Sequence, residues 1–221
     1  MKILELFCGT KSFSKEIQKI YAHCEITTLD ILKKYDPTIH GDILEWNYKE
    51  KYLPNEFDII WASPPCTEYS KAHRRKPRNL ILADNMVKRT IEIINYLEPK
   101  YWFIENPADG GLLQHRDFMK LLDMYKHTCS YCKYGFLYRK MTNIWTNNDK
   151  IELKICNKFT PCKNKKENNK HLFTAQRTQS SNSKDNIGVT NAYVIPPKLL
   201  QELSKDLDIR NNKFIKIPTK G

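Results

Sequence analysis

Short apolar runs alternate with helix-like stretches along this chain, and several of the runs stop on residues that can do chemistry. Residues 2–7, 24–29, 39–43, 57–61 and 101–104 read as strands. Between them, residues 12–21 read as a helix with Ser12 as its N-cap. Residues 81–97 read as another, with Leu82, Met86, Ile94 and Leu97 at helical spacing. A helix over 118–125 and a late antiparallel pair, 128–134 with 142–146, follow. Strands alternating with helices predict an α/β fold built on a mostly parallel sheet. Such a sheet places its ligand crevice outside the carboxyl ends of the strands.

Those ends are loaded. The first strand runs into Cys8-Gly9-Thr10, where glycine lets the backbone approach a ligand closely. Asp30 ends the second strand, where an acid accepts hydrogen bonds from ribose hydroxyls, and Asp42 follows the third, where it suits an adenine amino group. Each acid alone also fits a turn or a cap; together they point to an adenosine-type ligand. The fourth strand leads into Ser63-Pro64-Pro65-Cys66, and the fifth into Glu105-Asn106-Pro107. A thiol beside a carboxylic acid suits covalent attack on an electron-poor ring that must also be protonated. The alternative for Cys66 is an inert buried thiol, which the two prolines before it and the polar loop after it disfavour.

The 221 residues suffice for one well-buried domain with a small appendage. A formal charge of +12 points to a polyanionic partner, with a generally lysine-rich composition as the alternative. The loop from Thr67 to Asn79 carries Lys71, His73, Arg74, Arg75, Lys76 and Arg78, suited to phosphates or simply solvated. Seven cysteines, no signal-peptide pattern at the first residues and no membrane-length apolar run predict a soluble intracellular protein, in the cytoplasm, nucleoid or nucleus, without a membrane partner and monomeric.

These blocks resemble the DNA (cytosine-5) methyltransferase family, especially its short phage and viral members. Leu4 to Gly9 is similar to the family's opening block. Pro65, Cys66 and Ser70 match its Pro-Cys-x-x-x-Ser block, Glu105-Asn106 its Glu-Asn block, and Asn191-Ala192 with Val194 to Pro197 its late block. The run from Tyr134 to Asn147 is similar to the short members' own. The resemblance implies a Rossmann-like S-adenosylmethionine-dependent methyltransferase fold with a small irregular recognition insert. It implies transfer of a methyl group to cytosine C5 of DNA, with S-adenosylhomocysteine as product and the target base flipped out. Cys66 would add to C6 and Glu105 would stabilise charge at N3. Lys140 would hold O2, standing with Thr142 where the family has arginines. The cofactor would lie against Glu5, Phe7, Cys8, Gly9, Thr10, Asp30, Ile31, Asp42, Ile43, Pro64 and Asn191. Nucleic acid would meet Ser70, Arg74, Arg75, Lys76, Arg78, Asn106, Thr142, Lys163, Lys165 and Arg177. An RNA cytosine-5 methyltransferase, or a DNA-binding relative that is weak or inactive, are the alternatives; the altered Lys140/Thr142 block favours the latter.

The expected organisation is a catalytic core over 1–147, a recognition insert over 148–187, a return to the core over 188–210, and a loose basic tail over 211–221. Near the insert lie Cys129, Cys132, Cys156, Cys162 and His171. A small irregular segment benefits from a metal staple. A zinc site of Cys132, Cys156, Cys162 and His171 therefore competes with free thiols in an apolar patch. Against it, Cys129 and Cys132 point to opposite faces if both lie in a strand.

Overall fold

We describe a computed structural model over residues 1–70, 77–108, 111–165, 171, 194–210 and 212–219. The strands are β1 (Lys2–Leu6), β2 (Glu25–Asp30), β3 (Ile39–His40), β4 (Ile59–Ala62), β5 (Tyr101–Pro107), β6 (Lys126–Ser130) and β7 (Met141–Thr146). They form one sheet in the order β3-β2-β1-β4-β5-β7-β6. The first five are parallel; β7 runs antiparallel to both β5 and β6. This is a Rossmann-like α/β fold with an antiparallel edge. β1 is flanked by β2 on one side and β4 on the other, and that reversal of strand order opens a crevice at their carboxyl ends.

Both faces of the central strands are buried, which explains their continuous apolar sequences. Ile3, Ile59, Trp61, Tyr101, Phe103 and Ile144 pack on one face. Leu4, Leu6, Ile60, Ala62, Trp102, Ile104 and Trp145 pack on the other. The alternation follows the two-residue period of a strand. Helix α1 (Ser12–Ile20) covers the first face through Phe13 and Ile17, joined by α4 (Pro197–Ser204) through Leu199, Leu200 and Leu203. Helix α2 (Leu80–Leu97) covers the second with Ala83, Val87, Ile91 and Ile94, one stripe at helical spacing. Asn79 caps α2 by accepting from the Leu82 amide, 3.1 Å away. Glu98, in the left-handed region, ends it just before Pro99.

Several local expectations are corrected. Ser12 is the first residue of α1 rather than its cap; left-handed Lys11 precedes it without a side-chain cap bond. The third strand shrinks to Ile39–His40, because the chain turns from Asp42, whose carbonyl accepts from the Glu45 amide at 3.1 Å. The helix expected over 118–125 is only α3 (Asp117–Lys120) plus a 3₁₀ turn at Asp123–Tyr125. Its inward residues, Met119, Leu122 and Tyr125, recur every three positions, the period of a 3₁₀ helix. The strand expected over 128–134 ends at Ser130, and Tyr131–Tyr134 forms a 3₁₀ turn closed by Gly135 at φ 98°. The tail expected to be loose is docked: Ile217 is fully buried and exchanges two hydrogen bonds with the Asn95 side chain. Trp102 Nε1 also donates to the Ile215 carbonyl at 3.3 Å.

Candidate active site

After β1 the chain coils tightly, with Phe7 at φ 59°, Gly9 at φ 47° and Lys11 at φ 56°. Such angles cost a side chain of order 1 kcal/mol or more, and they cluster where a ligand must be met. Asp30 clamps the turn: its Oδ2 accepts from the Gly9 amide at 2.8 Å and its Oδ1 from the Leu32 amide at 2.8 Å. Asp42 accepts from the Leu44 amide at 2.9 Å. Glu5 is buried and accepts a hydrogen bond from the Ser14 hydroxyl. Burial pushes its carboxyl up to about 7, partly offset by Ser14 and Lys11.

These groups line a cavity of about 590 Å³. Of the residues expected at the cofactor, Glu5, Phe7, Cys8, Gly9, Thr10, Asp30, Ile31, Asp42, Ile43 and Pro64 line it; Asn191 lies outside the described residues. Lys34, Tyr35, Leu82, Met86 and Ile195, which were not expected at the cofactor, line it too. Ile31 is 59% exposed and Leu32 46%, an apolar lip to the cavity.

The same cavity contains Cys66, Glu105 and Lys140. Cys66 follows β4 on a turn held by two bonds to its own carbonyl, from the Tyr69 and Ser70 amides at 3.1 and 2.9 Å. Burial pushes its thiol up, Lys140 pulls it down, and Glu105 raises it again. Glu105 lies within β5, opposite Ile144 of β7, and is 7% exposed. Its Oε1 accepts from the Tyr131 hydroxyl at 3.1 Å and pairs with Lys140 Nζ at 3.5 Å. Lys140 also sits over the Tyr131 ring, 4.7 Å from its centre. Tyr131 is thus a site residue that the sequence reading missed. Its only signal was the pairing of 128–134 with the 142–146 strand, and the 3₁₀ turn hides that register.

The nucleophile loop is braced from beneath. Tyr69 donates to Asp84 at 2.9 Å, and Arg116 clasps the same carboxylate through Nε and Nη2. Leu112 donates to the Tyr69 carbonyl at 2.9 Å, and Ser70 bridges Gly111. A side chain at Gly111 would place its Cβ 2.0 Å from the Pro107 carbonyl oxygen, so the crossing needs glycine.

The residues expected to touch nucleic acid scatter. Asn106 is 1% exposed and donates to the Pro64 carbonyl at 3.0 Å, so it braces the nucleophile loop from within. Thr142 is fully buried between β5 and β6. Both are interior positions rather than surface ones, Asn106 on β5 between β4 and β7, and Thr142 on β7 between β5 and β6. Arg78 turns its guanidinium to the Glu68 carbonyl, and Ser70 stays half-buried. Lys163 is exposed, while Lys165 donates to the Asn157 carbonyl at 3.2 Å. Arg74, Arg75, Lys76 and Arg177 lie outside the described residues. Among the described residues, no helix is long and apolar enough to cross a membrane.

Cys132, Cys156, Cys162 and His171 converge: one ligand atom of each lies within 4.8 Å of all the others. The 3₁₀ turn is what frees Cys132 from the strand geometry that would have opposed it to Cys129. Cys129 stays fully buried among Tyr131, Ile144 and their apolar neighbours.

A family model for C-5 cytosine-specific DNA methylases matches residues 1–139. A probable DNA (cytosine-5)-methyltransferase of Frog virus 3 is 30% identical over 224 residues, covering 92% of this chain and 98% of its own length. The DNA (cytosine-5)-methyltransferase CMT1 of Oryza sativa subsp. japonica is 34% identical over 73 residues, 31% of this chain and 7% of that protein. Among solved structures, the S. pombe Dnmt2 methyltransferase is similar with a TM-score of 0.48 and 18% identity, over 70% of this chain and 53% of that one. With well over half of its residues matched by the family model and the viral relative matched nearly end to end, this chain belongs to the C-5 cytosine-specific DNA methylase family.

Proposed function

We propose that the protein methylates cytosine C5 in DNA, using S-adenosylmethionine and a covalent Cys66 adduct on a flipped base. One observation carries the reading: a thiol, a carboxylate and an ammonium group line the same cavity as an acidic, glycine-containing adenosine-type site. The cavity residues fit the cofactor. Gly9 admits close backbone approach, and Asp30 and Asp42 keep acceptor capacity beyond their single backbone bond per oxygen. Ile31 and Leu32 offer apolar surface to a planar base. Glu5 supplies a carboxylate for a cationic ligand. S-adenosylmethionine, bound there, supplies an electrophilic methyl group.

The protein's own groups then activate the cytosine. C5 of cytosine is a poor nucleophile until something adds at C6. The Cys66 thiolate forms the Sγ–C6 bond, and electron density moves toward N3. Glu105 stabilises that charge at N3, held in place by Tyr131 and Lys140. Lys140 has two tasks. Its charge favours the Cys66 thiolate, and its ammonium is placed to meet the base's O2 as a point-charge donor. After methylation at C5, loss of the C5 proton to a base breaks the Sγ–C6 bond and returns Cys66. Lys163, which is exposed, and the basic residues that follow Ser70 in the sequence would meet DNA phosphates in this reading. Residues 1–147 and 188–210 form the catalytic body in this reading, and 148–187 the target-recognition insert.

Incubation with methyl-labelled S-adenosylmethionine, duplex DNA and, separately, tRNA tests the proposal. Label recovered as 5-methylcytosine from the duplex is expected. Label in tRNA alone would move the substrate to RNA, and label in neither would overturn the enzymatic reading.

A further inference from the structure

The three cysteines and the histidine come from separate parts of the chain. Cys132 sits in the 3₁₀ turn after β6, Cys156 and Cys162 on the irregular segment after β7, and His171 farther on. The Cys156 and Cys162 sulfurs lie 3.5 and 3.3 Å from His171 Nε2. A tetrahedral zinc ion with Zn–S of about 2.3 Å and Zn–N of about 2.0 Å has S···N edges of roughly 3.5 Å. The observed separations are those edges, and no pair of these cysteines is joined as a disulfide. The Cys162 amide points at the Cys156 sulfur from 3.3 Å, the kind of outer bond that steadies a thiolate ligand. An apolar thiol patch would not recruit an imidazole nitrogen to its centre; Cys129, buried among aromatic side chains nearby, shows what such a patch looks like here.

We infer that Cys132, Cys156, Cys162 and His171 bind one zinc ion as a closed structural site. Four protein ligands fill a tetrahedron and leave no position for water or substrate, so the ion's work is structural. What it holds is specific. Cys132 neighbours Tyr131, whose hydroxyl donates to Glu105. The ion therefore pins both ends of the 156–171 stretch to the turn that positions the catalytic carboxylate. Among the described residues, the Cys156 amide donates to Ser130 Oγ at 2.9 Å, Asn164 to the Phe136 carbonyl at 3.0 Å and Lys133 to the Pro161 carbonyl at 2.9 Å, toward the same region. None of the four ligands lines the cofactor cavity itself.

The test uses tag-free full-length protein grown with zinc, its metal content read by plasma mass spectrometry. Close to one zinc per chain is expected. Cys162→Ser and His171→Ala should each fall below about a tenth of that content, whereas Cys24→Ser should keep it. Because a ligand variant can fail by misfolding, wild-type protein stripped by chelator is also titrated with cobalt(II). Thiolate-to-cobalt charge transfer and strong tetrahedral visible bands are expected, saturating at one equivalent. Wild-type protein without zinc and without that cobalt spectrum would overturn the inference, as would ligand variants that retain full metal. None of these readouts depends on methyl transfer, so the zinc site stands or falls apart from the proposed activity. S-adenosylmethionine binding, measured by calorimetry, should survive in the stripped protein.

Discussion

The nucleophile loop and the irregular segment after β7 leave the same sheet and are secured in different ways. The loop from Pro64 to Ser70 is braced by buried polar groups: Asn106 under Pro64, Asp84 and Arg116 under Tyr69, and backbone bonds from Leu112. Residues 148–165 bury four residues, Asn148, Ile151, Cys156 and Asn164, and converge on a cysteine-histidine cluster. The contrast separates two tasks. Attack on a ring carbon requires the sulfur to be placed within fractions of an ångström, which a packed and hydrogen-bonded loop provides. In its proposed role as a recognition segment, the stretch after β7 needs only a fixed origin, which the inferred metal ligands would supply without a core.

Breaking the site's own chemistry should have the largest effect. Glu105→Gln keeps the shape but removes the carboxylate, and a fall of about a thousandfold in methyl transfer is expected. Cofactor affinity should hardly change, which equilibrium binding would check. Breaking the brace comes next. Asp84→Ala leaves Arg116 without its partner and Tyr69 without its acceptor, and about 3 kcal/mol of stability should be lost. Denaturant melts would measure this. A matching cut on the segment after β7, such as removing the Lys133 contact to Pro161, should cost under about 1 kcal/mol, since that lysine is solvated. Equal losses from the two cuts would erase the contrast.

Lys140→Ala should lower the rate about a hundredfold, because the thiolate and the base each lose a charged neighbour. Lys140→Arg should retain most of the activity, since the guanidinium offers the same charge with a planar fork. A pH profile is diagnostic: without Lys140, the Cys66 thiol rises further, and the limb on which the rate climbs with pH as the thiolate forms should shift upward in pH.

The smallest effect concerns Glu5. Its folded value of about 7 lies above the ordinary 4.5, so the folded protein holds this proton more tightly than the unfolded chain. The stabilisation is present below about 4.5 and is lost as pH rises through about 7. Unliganded protein should therefore become less stable over that window. Affinity for the cationic cofactor should instead rise severalfold over the same window as Glu5 ionises. A flat affinity profile would remove Glu5 from the cofactor site.

The parallel core and its loaded strand ends were legible because both depend on local pattern: apolar runs, and a chemical residue directly after each. Cys66, Glu105, Asp30 and Gly9 follow from that rule alone. What escaped depends on contacts distant in sequence. Asn106 and Thr142 looked like surface contacts but are buried, because β7 covers the edge of β5 and β6 in turn covers that of β7. Tyr131 was missed because a 3₁₀ turn interrupts the strand carrying it. Phe214 and Ile217 sit in a basic tail with no periodicity, yet they dock on α2, where burial of two side chains and the Asn95 pair outweigh the cost of ordering the chain.

The central claim is that Cys66 forms a covalent bond to cytosine with Glu105 beside it. Duplex DNA carrying 5-fluorocytosine tests it most directly, because fluorine at C5 cannot leave as a proton and the adduct is trapped. With S-adenosylmethionine present, wild-type protein should gain the mass of one DNA strand, with the linkage mapped to the peptide containing Cys66; Cys66→Ala should gain none. Wild-type protein that binds S-adenosylmethionine but never shows this adduct would contradict the account.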